Sequence, residues 1–279
     1  MKLGVVNPMA ALTDPMAQLA QLLYTEPCEY NILIPAKDGS KISGADLQKL
    51  AGYIQAQHKK VLFIQNNDQS EAIDETQVFT FTTFDNLQQN PELLAGSAVA
   101  EWGAFIGTKM RGTNSLTGVT PVPRSQFPID TFNDLKQKHL AAYAILSNNY
   151  DEVTSSLMGD GTYIDQVVIK DYAHYLIEQA LNTWHRQNQH NIIPFDDNGI
   201  SIVNSVISNA FAPMISAKML ATDSNGNPIM KVKTPDITNV SSDDYANRVL
   251  RNIKVNFRPV NQAEDLYINL GVTLDGGLI

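Results

Sequence analysis

The sequence predicts an α/β fold with a mixed, mainly parallel sheet flanked by helices and a C-terminal α+β extension. Strand and helix signals alternate along residues 1–220, which is typical of parallel strands joined by helical crossovers. Residues 221–279 instead contain runs in which apolar and polar residues alternate, which is typical of half-buried antiparallel strands. We therefore expect an α/β core domain over 1–220, followed by a C-terminal α+β segment over 221–279.

The first third of the chain supplies three predicted strands and two helices. Thr13-Asp14-Pro15 is a good helix start, because proline in the first turn loses no hydrogen bond. The apolar segment 30–34 follows as a strand, and a capping-box-like sequence at 43–46 opens the second helix. The continuous apolar run 61–64 is typical of a strand covered on both faces. Residues 77–84, rich in Phe and Thr, are predicted as the third strand.

The middle of the chain contains the longest predicted helix. Residues 141–146 are predicted as a strand, and the turn Gly159-Asp160-Gly161 follows it. Asp165 then introduces a helix whose apolar residues recur at helical spacing as far as the Trp at 184. A second long helix is predicted over about 200–220, with a bend at Pro213.

The C-terminal segment is predicted to contain two strands after a polar turn at 223–228. Ile253, Val255 and Phe257 alternate with polar residues, and the alternation over 266–274 is stricter still. We expect these two strands to be antiparallel neighbours joined through 259–264.

The composition excludes several classes of protein. The formal net charge is −9 and no cluster of Lys and Arg occurs, so we expect no nucleic-acid partner. The single cysteine, Cys28, cannot form an internal disulfide, which suits a reducing cytoplasm. No apolar run approaches the ~18 residues of a membrane span, so we expect no membrane as a stable partner.

No strong catalytic signature occurs, and we predict no catalytic residue, no cofactor and no metal ligand. The sequence has no Gly-rich phosphate loop, no HExxH pair and no Gly-x-Ser-x-Gly elbow. The polar turn at 223–228 echoes the start of a calcium loop, but Pro228 stands where that loop needs glycine. One enzyme alternative stays open: a hydrolase in which folding brings a histidine to Asp160 or Asp165.

Four groups of residues resemble the phage tail-sheath proteins, in particular a divergent sheath-like branch. The first group runs from Asp46-Leu47 through Leu50-Ala51 to 61–68, and the second comprises 115–121, Leu135-Lys136 and Ala142-Tyr143. The third is the most specific, with Met158-Gly159, 161–165, the helix from Asp171, and Ile193-Pro194-Phe195-Asp196-Asp197-Asn198-Gly199-Ile200. The fourth comprises 246–248 and the segment from Phe257-Arg258 to Ile268. The resemblance rests on the order and spacing of these four groups along the chain.

The resemblance implies a structural protein of the virion rather than an enzyme. Sheath subunits assemble as hexameric rings that stack helically around a tail tube, between neck and baseplate proteins. The implied location is the tail of a virion made in the cytoplasm of a bacterial host. Contractile sheath proteins usually have a longer N-terminal portion than this α/β pattern, so the resemblance leaves open whether the tail contracts. Another ring-forming virion protein, such as a neck, baseplate or tail-terminator protein, is the main alternative.

Sheath subunits are linked by terminal arms that add strands to the sheets of their neighbours, and this property suggests candidate contact residues. A strictly alternating strand with an open edge is a hazard in a monomer and a connector in a lattice. We therefore expect the C-terminal segment to link subunits or to complete its own core, and both remain open. The candidate inter-subunit or tube contacts are Leu266, Ile268, Leu270, Val272, Phe257, Arg258, Asp196 and Asp197.

Overall fold

The structure is a computed structural model, and it describes a defined part of the chain. The described residues are 4–5, 31–34, 44–57, 60–66, 73–82, 129–145, 151–153, 155, 157–189 and 194–260. The predicted helix that starts at Thr13-Asp14-Pro15 and the predicted strand at 266–274 lie outside these residues.

The described residues form nine strands and six α-helices. The strands are β1 (Gly4–Val5), β2 (Asn31–Ile34), β3 (Val61–Asn66), β4 (Val78–Thr82), β5 (Leu140–Ala141), β6 (Tyr143–Ile145), β7 (Asp151–Val153), β8 (Met230–Lys233) and β9 (Lys254–Phe257). The helices are α1 (Gly44–Gln57), α2 (Ile129–Gln137), α3 (Ile164–Gln187), α4 (Asp197–Ala210), α5 (Ala212–Ser216) and α6 (Ser242–Ala246).

The central element is a five-stranded parallel sheet in the order β1-β2-β3-β4-β5. Its middle strands pair in register, with Leu62 opposite Val78 and Phe63 opposite Phe79. Residues 61–64 of β3 are all buried, so both faces of this strand are covered, which explains its continuous apolar run. The prediction of an α/β protein is confirmed, but the described sheet is parallel throughout, whereas a mixed, mainly parallel sheet was predicted. The described antiparallel pairs, β6–β7 and β8–β9, form separate two-stranded sheets rather than joining the parallel one.

Helices cover the two faces of the parallel sheet. Successive residues of a strand point to opposite faces, so Leu62 and Val78 pack against α1, where Ala51 and Ile54 are fully buried. Val61, Phe63 and Phe79 point the other way, into a cluster with the first half of α3. The sheet therefore lies between two apolar clusters, and the larger of them includes α3.

Helix α3 is buried in its first half and more exposed in its second. Its buried residues end at Leu176, and the following turns are half-buried or exposed. The helix begins at Ile164, one residue before the predicted start at Asp165. Asp171 is buried within the first half, and its Oδ2 accepts a hydrogen bond of 3.3 Å from the side-chain amide of Gln77 on the sheet side.

The second long helix is divided in two. The Asp196 side chain caps α4 by accepting a hydrogen bond of 2.9 Å from the Gly199 N–H. The break between α4 and α5 falls at Phe211, two residues before the predicted bend at Pro213. Proline has no N–H to donate within a helix, so it fits the first turn of α5 and not the interior of a longer helix.

One described stretch is long and apolar enough to qualify as a membrane span by length and composition. It covers Asp197–Ser216, with a mean hydropathy of 1.2. This finding corrects the expectation that no such stretch occurs. It is weak evidence for a membrane, because core helices of other proteins pass the same test. Here the stretch consists of α4, Phe211 and α5, and 28% of its apolar 18-residue window is buried, including Ile207, Phe211 and Met214.

Strands β8 and β9 form an antiparallel ribbon, called the ribbon below. Met230 lies opposite Phe257 and Val232 opposite Val255. The side chains of Met230, Val255 and Phe257 pack on the apolar cluster that includes α3. The predicted strand at 253–257 is therefore present, but its described neighbour is β8.

Candidate functional site: a strand edge beside a cleft

The outer edge of β9 has no described strand beside it. Arg258 donates its N–H to the Ile229 carbonyl over 3.0 Å and accepts from the Ala221 N–H over 2.9 Å, so its backbone faces the β8 side. Backbone direction alternates along an antiparallel strand. Val255 and Phe257 therefore point their N–H and C=O groups to the opposite edge, where no described strand pairs with β9.

A cleft of about 520 Å³ lies against this ribbon. One wall is formed by residues of the α/β part, and the other by the strand β9 and the residues around it. The first wall contains Thr76, Asp160, Thr162, Gln166, Val167 and Lys170, and the second contains Val255, Asn256, Phe257 and Pro259. Thus Val255 and Phe257, whose backbones face the edge that no described strand covers, also line the cleft.

A tight turn before α3 positions Asp160 in the first wall of the cleft. The Gly159 N–H donates to the Val78 carbonyl over 2.8 Å, which fixes the turn to β4. A Cβ on Gly159 would overlap the Ile73 carbonyl oxygen, so the close approach requires glycine. Gly161 has a φ of 81°, which also favours glycine. The turn predicted at 159–161 is confirmed.

Asp160 is the ionisable group of this turn. Burial raises its pKa, but hydrogen bonds to its carboxylate from the Thr76 hydroxyl (2.6 Å) and the Thr162 N–H (2.9 Å) outweigh that effect. The net result is a pKa below the ordinary value for aspartate. The carboxylate is therefore held ionised as a structural acceptor that joins the start of β4 to the start of α3.

The hydrolase alternative finds no support in this cleft. None of the described residues that line it is a histidine. His139 lies next to the turn, but a nitrogen of its ring is hydrogen-bonded to the Gly159 carbonyl over 2.7 Å. Asp165 is buried, and its carboxylate accepts from the Gln166 N–H at the start of α3. In the described part of the chain, folding does not form the pair of histidine and carboxylate in a pocket that this alternative requires.

The described predicted contact residues lie at two places. Phe257 is half-buried on β9, with its ring 5.5 Å from that of Phe211, and Arg258 follows it with an exposed side chain. Asp196 and Asp197 lie at the N-terminus of α4, where the Asp197 carboxylate accepts from the Ile237 N–H over 2.7 Å. The remaining predicted contacts, Leu266, Ile268, Leu270 and Val272, lie outside the described residues.

Sequence reasoning missed the partner strand β8 and the cleft. The segment Met230–Lys233 alternates apolar and charged residues, but over four residues only, which is too short for a reliable period. The cleft joins Thr76 to Phe257, and no local pattern indicates a contact between segments so distant in the chain.

No metal site is found among the described residues, where no three His, Cys, Asp or Glu side chains converge. The predicted polar turn at 223–228 is confirmed as a turn. The Asp223 carboxylate accepts from the N–H groups of Asn225 and Asn227, each over 2.9 Å. These hydrogen bonds close the turn on itself, as an aspartate commonly does.

Comparison with solved structures identifies the class of fold. A chain of the six-fold symmetrised baseplate of the anti-feeding prophage matches with a TM-score of 0.71 and 17% identity, over 95% of this chain and 74% of that one. A chain of the contracted helical sheath of the same particle matches at 0.66 and 18%, over 97% and 76%. The sheath tail protein of Listeria innocua matches at 0.60 and 14%, over 90% and 58%.

The chain therefore has the fold found in tail sheath structures. The resemblance to the tail-sheath family, noted from the sequence, is confirmed at the level of the fold. No protein-family model matches the sequence, and no curated protein does. The matched structures are named as sheath or baseplate assemblies and not as enzymes.

Proposed function

We propose that this chain is a structural subunit of a phage tail sheath, which assembles as stacked rings around the tail tube. The observation that carries the proposal is the edge of β9 beside the cleft, which no described strand covers. A strand from a neighbouring copy can add there through main-chain hydrogen bonds to Val255 and Phe257. Such a joint makes little demand on side-chain identity. The sheath fold, at 17–18% identity to the two anti-feeding prophage chains, supports the same role.

The added strand, in this proposal, is the alternating segment 266–274 of a neighbouring copy. Leu266, Ile268, Leu270 and Val272 share one side of such a strand because side chains alternate with a period of two. That apolar side would cover the cleft wall near Val167 and Phe257. The strand bonds to the backbone, and its apolar side gives the joint its register.

The division of the chain at about residue 220 belongs to the same proposal. Residues 1–220 would form the sheath core, and 221–279 would complete it and link copies. The role of 221–279 in completing the core is supported by the packing of Met230, Val255 and Phe257 on the cluster that includes α3. The role in linking copies is supported by the edge of β9 that no described strand covers.

The partners of the proposed subunit are its own copies in hexameric rings, a tail tube protein, and neck and baseplate proteins. Its place is the tail of a virion assembled in the bacterial cytoplasm, and its role is structural rather than catalytic. The proposal covers both contractile and non-contractile tails, and no nucleic acid or membrane is a stable partner in it.

Electron microscopy of the purified protein tests the proposal directly, with one matched pair of variants. Val255→Pro removes an N–H that faces this edge of β9, and proline is tolerated at such edge positions. Val255→Ala shortens the same side chain but keeps that N–H. We expect stacked rings or tubes from the unmodified chain and from Val255→Ala, and dispersed folded subunits from Val255→Pro. Tubes formed by Val255→Pro as readily as by Val255→Ala would contradict strand addition at this edge.

The complementary test changes the proposed added strand. Ile268→Asp together with Leu270→Asp places charge on its apolar side, and we expect this variant to form no rings. The matched control replaces Asn269 and Thr273 with Ser. These two residues lie on the other side of the proposed strand, so the control should still assemble. Intact rings from the double Asp variant would exclude this segment as the connector.

A baseplate component is the second candidate function. The observation that favours it is the match to a chain of a baseplate structure, with a TM-score of 0.71. Antibody labelling of purified virions separates the two functions. Label along the length of the tail indicates a sheath subunit, whereas label confined to the distal end indicates a baseplate protein.

A further inference from the structure

One face of the ribbon is basic, although the chain as a whole is acidic. Residues 221–260 contain six Lys and Arg against four Asp, whereas the formal net charge of the chain is −9. Lys231, Lys233, Lys254 and Arg258 are all exposed on the side of the ribbon opposite the apolar cluster, and we call them the basic face. The pairing register places them together, with Lys233 directly opposite Lys254.

The basic face lowers the stability of an isolated subunit. Like charges directly opposite each other on an antiparallel ribbon are destabilising. None of its four side chains forms an ion pair with another residue that the structure describes. An acidic surface brought against this face would remove the repulsion and gain attraction.

The chain itself carries such a surface at the N-terminus of α4. The bond from the Ile237 N–H to Asp197 places Asp236 beside the start of the helix. The rings of Phe195 and Tyr245 lie 5.3 Å apart, which brings α6 and its Asp243 to the same end. The carboxylates are exposed, and we call this surface the acidic end; it comprises Asp196, Asp197, Asp236 and Asp243.

No ion pair between described residues joins the two surfaces within one subunit. Helix α4 packs along the inner side of the ribbon, where the Asn204 side chain donates to the Val232 carbonyl and to the Thr234 hydroxyl. The basic face lies on the outer side, and the acidic end lies where α4 begins. Each copy therefore presents one basic and one acidic surface whose charges form no ion pair with each other among the described residues.

We propose that the basic face binds the acidic end of a second copy of this chain. The proposal rests on the proposed function, and it specifies the polar contact between neighbouring subunits. Because the two surfaces differ, the contact is head-to-tail, and contacts of that kind generate rings or helical assemblies. A second copy is the favoured partner because every copy carries the complementary acidic surface at the start of α4.

Charge reversal provides the test. Lys231→Glu with Lys254→Glu makes the ribbon acidic, and Asp236→Lys with Asp243→Lys makes the helix end basic. Neither aspartate side chain caps its own segment, since Ser241 caps α6 and the turn after Asp236 has no side-chain cap. We expect each variant alone to associate about tenfold or more weakly than the unmodified chain in sedimentation velocity at low salt.

Mixing the two variants gives the decisive result. Each then offers the charge that the other lacks, so assembly should return in the equimolar mixture and in neither variant alone. Arg186→Glu with Lys218→Glu changes the net charge as much as the ribbon variant does, at exposed positions outside both surfaces, and should assemble like the unmodified chain. Circular dichroism confirms that every variant is folded.

The failures of the two proposals can be told apart. Tubes that form from the unmodified chain and equally from both reversed variants would overturn this inference and leave the sheath proposal standing. Loss of assembly that the mixture does not restore would also overturn it, because complementarity would be absent. An unmodified chain that never associates would overturn both proposals.

Discussion

The contact between Phe211 and Phe257 offers a quantitative test of how the ribbon is held to the rest of the molecule. Phe211, between α4 and α5, is 1% exposed, and its ring lies 5.5 Å from that of Phe257 at an interplanar angle of 58°. Truncation of a buried phenylalanine to alanine costs about 3–5 kcal/mol of unfolding free energy. Phe257 is half-buried, so Phe257→Ala should cost less, about 1–3 kcal/mol.

A double-mutant cycle separates the ring contact from the cost of losing each buried side chain. Tilted aromatic pairs at this separation contribute about 0.5–1.5 kcal/mol beyond their buried area. The double variant should therefore be less destabilised than the sum of the two single variants by about that amount. Urea unfolding followed by circular dichroism, at concentrations where the chain sediments as a monomer, gives all four free energies.

Simple additivity of the two single variants would contradict the ring contact. If the two costs add within about 0.3–0.5 kcal/mol, the rings do not interact. The ribbon would then not lie against the junction of α4 and α5. A Phe211→Ala cost below about 1 kcal/mol would likewise show that this residue is not in the core.

Three further predictions concern the turns that shape the site. Asp196→Ala should lower the unfolding free energy by about 1 kcal/mol in urea, because it removes the cap of α4, whereas Asp196→Ser should restore most of it. Gly199→Ala should cost about 1–3 kcal/mol in the same assay, since its Cβ would overlap the Pro194 carbonyl; a neutral effect would contradict this close approach. For Asp160, burial raises the pKa but hydrogen bonds, chiefly from Thr76, lower it below its ordinary value, so its stabilising effect is full above about pH 4 and is lost as the pH falls through the lowered pKa. The unfolding free energy of Asp160→Asn should therefore fall less at low pH than that of the unmodified chain. An equal fall in both proteins would contradict this.

The elements that sequence reasoning predicted well are those whose signal is local. The run at 61–64 has apolar residues on both faces because both faces of β3 are covered, so the burial is visible in the sequence itself. The start of α3 follows a turn with two glycines, and Pro213 marks the break between α4 and α5 within two residues. In each case the signal lies within a few consecutive residues.

The elements that escaped prediction depend on distant contacts. Asp171 lies on a buried turn of α3 and is satisfied partly by Gln77, and no pattern along the helix indicates that partner. The pairing of β9 with β8 instead of a later strand depends on the path of the chain over 234–253. The cleft needs both the turn at 159–161 and the ribbon in place. Tertiary packing, and not local propensity, determines these features.

The two proposed contacts between copies obey different physics, and this difference makes them separable in one experiment. Strand addition at β9 relies on main-chain hydrogen bonds and apolar burial, which salt leaves largely unchanged. The contact of the basic face with the acidic end relies on exposed charges, which are screened beyond about 8 Å at physiological ionic strength and beyond about 3 Å at 1 M. If both operate, raising the salt concentration should weaken association in part and leave a remaining association that Val255→Pro abolishes. Association that is wholly lost in salt would leave strand addition without a role, whereas association indifferent to salt would leave the basic face without one.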